Sequence, residues 1–369
     1  MYHFIDRLHT LYGLLQDEQS KEIFQTRFAI DMEPSISHFK RLLSLGGCEW
    51  GCIQPQKETL KELNHEHKKI ILYGVAATGQ SVARMLKFEH IDFYGFCGQQ
   101  AEMFPDGLLG KPVLSPDELV AHKDEYYVVP TVVTKKSYTE ISEFLKKQNY
   151  PKEHILDWID QESFLDEKLY FEFPELYRRD TAFIDGGCYD CEDSYRFAKW
   201  CGGAYSSIIA FEPDPDNYAK CCKKMQDIPL SNFQLINAGL ASHEGVAVFD
   251  ARNTMGSHIV PVEFDSNQAK TNFRNRISIC TAAIDDIIGD RTVGFIKMDI
   301  EGAEFDALHG AKNTIIRDKP FLAICVYHLR GDVFAIMDYL HQLLPQYRFL
   351  LRHYGAAVTD TVLYASVDL

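Results

Sequence analysis

The sequence predicts an α/β protein of three parts. A C-terminal domain carries a doubly wound sheet closed by an antiparallel hairpin, a smaller Rossmann-like α/β domain precedes it, and the N-terminal region is helical. Two observations predict this architecture. Short apolar runs alternate with amphipathic stretches from Lys68 onward, as expected of strand–helix units around parallel sheets. The alternation then breaks over a mixed stretch and restarts at Thr181, which implies two sheets rather than one. The boundaries read as 1–65, 66–165 and 166–369.

Within 1–65, Phe4, Leu8, Leu11, Leu14 and Leu15 recur at helical spacing, and the turn-rich LGGCEWGCIQP (45–55) separates them from a second helical pattern over 57–67. In the middle domain, strands are expected at Ile70–Tyr73, IDFYGFC (91–97) and EYYVVPTVV (125–133). Helices are expected after Gly79, at LSPDELVAH (114–122) with Ser115 as N-cap, and over 137–149. In the C-terminal domain, strands are expected at AFIDGG (182–187), SIIAFEP (207–213), FQLINAGL (233–240), VGFIKMDI (293–300) and FLAICVY (321–327). YRFLLRHY (347–354) and DTVLYASVDL (360–369) form the closing hairpin.

Composition narrows the function classes. The chain has 369 residues and a net charge of −15, so nucleic acid is not an expected partner, because phosphate contacts need clustered Lys and Arg. No apolar run is long enough for a membrane span. The N-terminus interleaves charge with apolar residues and does not read as a signal peptide. Cys280 and Cys325 lie in apolar segments and are expected as packed free thiols, which suits a reduced, cytoplasmic protein. The N-terminal helices leave a homodimer open.

Two strand–turn–helix junctions carry glycines. The first, GVAATG (74–79), has Ala76 where a dinucleotide fingerprint needs its second glycine, and Gly98 and Gln99 where an acid should meet a ribose. It reads as a domain kept for packing or recognition, with an NAD-dependent oxidoreductase as the alternative. The second, FIDGGCYDC (183–191), places Asp185 at a strand end. Gly186 and Gly187 form a tight turn there and Cys188 and Tyr189 follow, all four expected to contact a cofactor with Asp185, and a helix N-terminus lies beyond.

Glu212 and Pro213 follow the next strand. A carboxylate at that position can accept both hydroxyls of an adenosine ribose. Asn237 and Ala238 end the third strand, beside the expected adenine. These strand ends share the carboxyl edge of one sheet, where doubly wound folds bind ligands.

The most distinctive segment is FIKMDIEGAEFDALHGA (295–311). Lys297, Asp299 and Glu301 alternate, so they share one face if strand geometry persists. Ionisable groups on a face that is otherwise buried need partners or a task. His328, ending VYH, falls at the same edge, where a carboxylate or imidazole can remove a proton from an acceptor.

At these residues the chain resembles the FkbM family of methyltransferases, over about 180–369. The resemblance rests on FIDGG, FEP, AIDD (283–286), IKMDIEGAE, VYH and YRFLLRHY…TVLYA. It implies a class I fold and transfer of a methyl group from S-adenosylmethionine to a hydroxyl of a saccharide or related polar acceptor. It also implies cofactor contacts at Asp185, Gly187 and Glu212, and reaction-centre roles near Lys297, Asp299, Glu301 and His328. The chain departs from the family pattern at Cys191, where glycine is usual, and at Cys188, where a small alanine-like residue is usual.

Other readings of these residues remain. Cys188 and Cys191 have redox or zinc spacing, without a second such pair; Cys221 and Cys222 are adjacent and do not copy it. Asp185, Asp299 and Glu301 are chemically able to hold Mg²⁺, although no metal is the favoured reading. A non-catalytic binding protein that keeps the fold is the third functional class. The polar stretch 251–275 is expected to border the acceptor.

Overall fold

A computed structural model describes residues 2–46, 54–132, 135–156, 168–250, 258–260, 276–355 and 359–369. The chain forms two compact units. The smaller comprises Pro34–Leu169 and His353–Thr359; the larger comprises Met1–Glu33, Tyr170–Arg352 and Asp360–Leu369. The first two helices, α1 (Tyr2–Gly13) and α2 (Glu18–Met32), thus group with the C-terminal sheet, whereas the sequence reading placed them in a region of their own. Specific contacts explain the grouping. Arg7 pairs with Asp338, the Ser20 hydroxyl accepts from Leu351 N at 2.9 Å, and Arg352 donates to Asp17 at 2.7 Å.

The smaller unit holds α3 (Ile36–Leu45), α4 (Gln54–His65), β1 (Lys69–Tyr73), α5 (Ala77–Phe88), β2 (Gly95–Cys97), β3 (Val113–Leu114), α6 (Pro116–Ala121), β4 (Tyr126–Pro130) and α7 (Lys135–Lys147). Its sheet has the order β3-β2-β1-β4, and every pair is parallel. Ser115 caps α6, as its sequence predicts, and the structure adds a full capping box with Glu118. The Gly74–Gly79 turn is packed against itself. A Cβ on Gly79 would lie 1.9 Å from Gly74 O, and one on Gly74 would lie 2.7 Å from Thr131 O. Both glycines are therefore required by packing alone, whether or not a nucleotide binds.

In the larger unit the order is β5 (Ala182–Gly186), α8 (Glu192–Trp200), β6 (Ser207–Phe211), α9 (Pro215–Asp227), β7 (Phe233–Ile236), β8 (Gly239–Leu240), β9 (Gly245–Asp250), β10 (His258–Val260) and β11 (Arg276–Ala282). There follow α10 (Ile284–Ile288), β12 (Val293–Met298), α11 (Glu304–His309), α12 (Lys312–Asp318), β13 (Phe321–Cys325), α13 (Asp332–Leu343), β14 (Arg348–His353) and β15 (Thr361–Ser366). Seven strands form one sheet in the order β14-β15-β13-β12-β5-β6-β7. The five central and edge strands from β13 to β7 are parallel, and β15 inserts antiparallel beside β13. The order reverses between β5 and β12, so the ends of these two strands open the crevice in which doubly wound sheets bind ligands.

Aromatic side chains fill the layer against this sheet. Phe183 stacks on Phe197 at 4.0 Å between centroids and Phe295 on Phe321 at 4.8 Å, each pair adding about 0.5–1.5 kcal/mol beyond its buried area.

Two further features differ from the sequence reading. The stretch FQLINAGL is not one strand. Asn237 turns its side-chain amide onto the carbonyls of Glu212 and Pro213, ending β7 at Ile236, and Gly239–Leu240 then joins a second sheet of order β10-β9-β11-β8. Cys280, expected as a packed thiol, is exposed. It lies in that second sheet on β11, whose register buries Ile279 and turns Ser278 and Cys280 outward. The stretch 251–275 falls, apart from residues 258–260, outside the described residues. Among the described residues no helix is long and apolar enough to cross a membrane.

Replacing Gly79 by Ala is expected to cost about 1–3 kcal/mol through overpacking. The check is faster amide exchange in β1 and α5 with no nucleotide present, and unchanged exchange would show that the turn can relax.

Candidate active site

The parallel pairing of β5 with β12 sets Lys297 directly opposite Asp185. Both side chains are fully buried, at 1% and 0% exposure. The Lys297 ammonium donates to Asp185 Oδ1 at 3.1 Å and to the carbonyls of Gly186 and Gly187 at 3.2 and 2.9 Å. Asp193 lies 3.4 Å away, and the Tyr170 ring centroid 5.2 Å. Burial opposes the lysine's charge, but Asp185, Asp193 and Asp299 outweigh it and hold the ammonium well above its usual range. The second Asp185 oxygen accepts from the Ser194 hydroxyl at 2.6 Å. Lys297 and Asp185 thus lie beneath the glycine turn and hold its shape.

Gly187 has φ +73°, and a Cβ there would lie 2.0 Å from Asp299 O. Asp299 N donates to Gly186 O at 3.1 Å, so the glycine turn and the end of β12 are bonded edge to edge. Past the turn, Cys188 is buried and Tyr189 is exposed with φ +50°. Tyr189 N donates to Glu212 Oε2 at 2.9 Å, and Asp214 N donates to Glu212 Oε1 at 2.9 Å. Burial raises the Glu212 carboxyl to about 7. Each of its oxygens keeps a lone pair beyond the backbone bond it accepts. Asn237 ties down the Glu212–Pro213 turn, and Ala238 is buried behind it.

Beyond Met298 strand geometry does not persist. Glu301 has φ +58° and Gly302 φ +99°, and Glu304 folds back to accept from Ile300 N and Gly302 N at 2.8 and 3.0 Å. Lys297 therefore points beneath the turn, while Asp299 and Glu301 converge on His328. His328 Nε2 lies 3.3 Å from Asp299 Oδ1 and 3.5 Å from Glu301 Oε2; Nδ1 lies 3.0 Å from Glu304 Oε1. None of the three contacts is aligned as a hydrogen bond, so they act as close charge pairs. Burial disfavours an imidazolium, but Asp299 and Glu304 prevail and raise its pKa to about 11. Asp299 is desolvated, yet His328 and Lys297 keep its carboxyl well below the ordinary range. Burial, with Asp299 and Glu304 adding to it against His328, raises the Glu301 carboxyl to about 7.

Three residues of this cluster escaped the sequence reading as site residues. Tyr170 donates to Asp299 Oδ2 at 2.7 Å and Tyr327 to Asp299 Oδ1 at 3.2 Å. Glu304 could be read only as an acid in the first turn of a helix. Tyr327 adjoins His328 in VYH, but Tyr170 lies 129 residues before its partner and carries no local signal.

Lys297→Met would leave Asp185 buried without its cation, a loss of about 3–5 kcal/mol. Amide exchange in β5 and β12 should quicken accordingly, and adding Asp185→Asn should recover part of the loss. Equal protection in the single variant and the parent would mean that the pair does not hold the turn.

Residues 185–355 match the family described as methyltransferase FkbM domain, and residues 66–156 match a family described as C2185-like, N-terminal. A 2-O-methyltransferase, NoeI, of Sinorhizobium fredii (strain NBRC 101917 / NGR234) is 28% identical over 156 residues, covering 39% of this chain and 63% of that protein. The match thus spans less than two thirds of that relative's length. Among solved structures, methyltransferase FkbM from Methylobacillus flagellatus KT aligns at 18% identity and a TM-score of 0.45, over 94% of this chain and 99% of that one. M. capricolum TrmK in complex with S-adenosylhomocysteine aligns at 11% identity and a TM-score of 0.28, over 53% and 64%. Residues 185–355, which hold most of the seven-stranded sheet, are thus similar to FkbM methyltransferase domains.

Proposed function

We propose that the protein is an S-adenosylmethionine-dependent O-methyltransferase acting on a hydroxyl of a saccharide or related polar acceptor. The observation that carries this reading is the juxtaposition of the glycine turn with Asp299, through the Asp299 N to Gly186 O bond and the close approach of Gly187 to Asp299 O. A turn shaped to pass under a cofactor and a cluster shaped to move a proton are thereby joined. The 2-O-methyltransferase among the relatives supports a hydroxyl acceptor.

The residues present suit the cofactor. The Gly186–Gly187 backbone takes its amino-acid end, Glu212 accepts the ribose hydroxyls with its remaining lone pairs, and Asn237 and Ala238 border the adenine. When bound, the cofactor supplies an electrophilic methyl group on a sulfonium. Asp185 and Lys297 position the turn from below and do not touch the acceptor, because both are fully buried.

Glu301 takes the proton from the acceptor hydroxyl. Its side chain is 30% exposed, and its pKa near 7 matches a general base working near neutrality. His328, as an imidazolium, neutralises Asp299 and Glu304 and steadies Glu301. The smaller unit, with residues 66–156 at its centre, serves acceptor recognition or assembly rather than nucleotide chemistry.

S-adenosylhomocysteine should bind the purified protein, and Glu212→Ala should weaken that binding at least about tenfold with little change in kcat, since the ribose hydroxyls do not react. Unchanged affinity would remove Glu212 from the site. With a methyl-accepting saccharide, Asp299→Asn should nearly abolish turnover in a folded protein. The ionised form of Glu301 is the active one, so at saturating cofactor, which removes any contribution of Glu212 to binding, kcat/KM for the acceptor should rise with pH through about 7 and then level. That limb should vanish in Glu301→Gln, and its persistence there would assign the base elsewhere.

A further inference from the structure

Three cysteines that take no part in the proposed reaction converge beside the glycine turn. Cys188 and Cys191 come from the segment between β5 and α8, and Cys221 comes from α9. Their Sγ atoms all lie within 4.8 Å of one another, with Cys188 and Cys191 3.7 Å apart. The three residues are 3%, 0% and 0% exposed. A disulfide would need sulfurs about 2.05 Å apart. Thiolates on a tetrahedral cation with metal–sulfur bonds of about 2.3 Å stand about 3.8 Å apart, close to the observed separation.

Apolar packing by itself would also bury cysteines, and Ala210 and the partly buried Met225, Phe233 and Leu235 do surround them. Packing does not account for Cys191. Its backbone is left-handed, with φ +62° and ψ +14°, a conformation that costs a residue with a Cβ about 1–2 kcal/mol and glycine almost nothing. The strained residue delivers a thiol to two others that come from separate segments.

We propose that Cys188, Cys191 and Cys221 form a thiolate site for a soft, closed-shell cation, Zn²⁺ or Cu⁺. Binding would release the thiol protons to solvent and leave excess negative charge on the sulfurs. Lys220 and Lys224 flank Cys221 on α9 and offset that charge. Lys224 is held in place by Asp190 O at 3.0 Å and Glu192 at 2.8 Å. Cys222, half-buried on the same helix, is not part of the cluster. A cation here would fasten the turn after β5 onto α9, next to the Tyr189 N to Glu212 bond.

The full-length reduced protein would be titrated with Co²⁺ as a spectroscopic substitute for zinc, and with Cu⁺ delivered from a bicinchoninate complex. A sulfur-to-cobalt charge-transfer band saturating at one Co²⁺ per chain and displaced by Zn²⁺ would assign the site to zinc. Stoichiometric removal of Cu⁺ from the dye, without the cobalt band, would assign it to copper. In either case Cys222→Ser should retain binding. Cys191→Gly, which suits the left-handed backbone and should fold, should lose affinity by about a hundredfold or more, because even outer-shell substitutions cost about 10–100-fold. Cys221→Ser should do the same. Equal affinity in the parent and Cys191→Gly would overturn the proposal, as would absence of binding by both cations, or a Cys188–Cys191 disulfide in protein isolated without oxidant.

Discussion

The buried contact between Lys297 and Asp185 is the constraint on which the rest of the larger unit depends. An ammonium fully removed from water must find several acceptors, and this one takes a carboxylate and two consecutive carbonyls of the glycine turn. The two strands it joins flank the point where the sheet order reverses. Their ends are fixed relative to each other by a charge pair inside the sheet as well as by the ladder. Gly187 then approaches Asp299 O so closely that no side chain fits. The glycine turn and the carboxylate–imidazole cluster are in this way built on one rigid platform, which suits the proposed methyl transfer, a chemistry that asks chiefly for alignment.

Above that platform the charges are balanced around His328. Three carboxylates lie within 3.5 Å of one imidazole, and their repulsion is tolerable only because the ring stays protonated. The cluster separates its acids by environment. Asp299 accepts from two tyrosine hydroxyls, lies 3.3 Å from His328 Nε2 and remains ionised. Glu301 lies 3.5 Å from the same nitrogen, has no tyrosine donor among the described residues, and is pushed up to about 7 by burial. Two carboxylates two residues apart thus acquire different roles from their surroundings.

The turn after β5 shows how a local departure from a family pattern can be tolerated. Cysteine at 191 takes a backbone conformation that favours glycine, and its thiol meets two others rather than water. The strain is confined to one residue and leaves Tyr189 N placed to reach Glu212.

The sequence by itself determined the two α/β units, the central parallel strands and the strand ends where the candidate site lies, because hydrophobic periodicity and glycine turns are local properties of the chain. FIDGG, FEP and KMDIEG are contiguous, and each sits at the end of its own strand. Tertiary structure decided which of the charged residues converge on His328 and which lie beneath the glycine turn. Alternation places Lys297, Asp299 and Glu301 on one face only while the strand continues, and the left-handed backbone at Glu301 and Gly302 ends it. It also decided that Tyr170 serves Asp299, that β8 leaves the main sheet, that α1 and α2 join the larger unit and that Cys221 meets Cys188 and Cys191. Each of these depends on segments distant in sequence meeting in space, which no local pattern encodes.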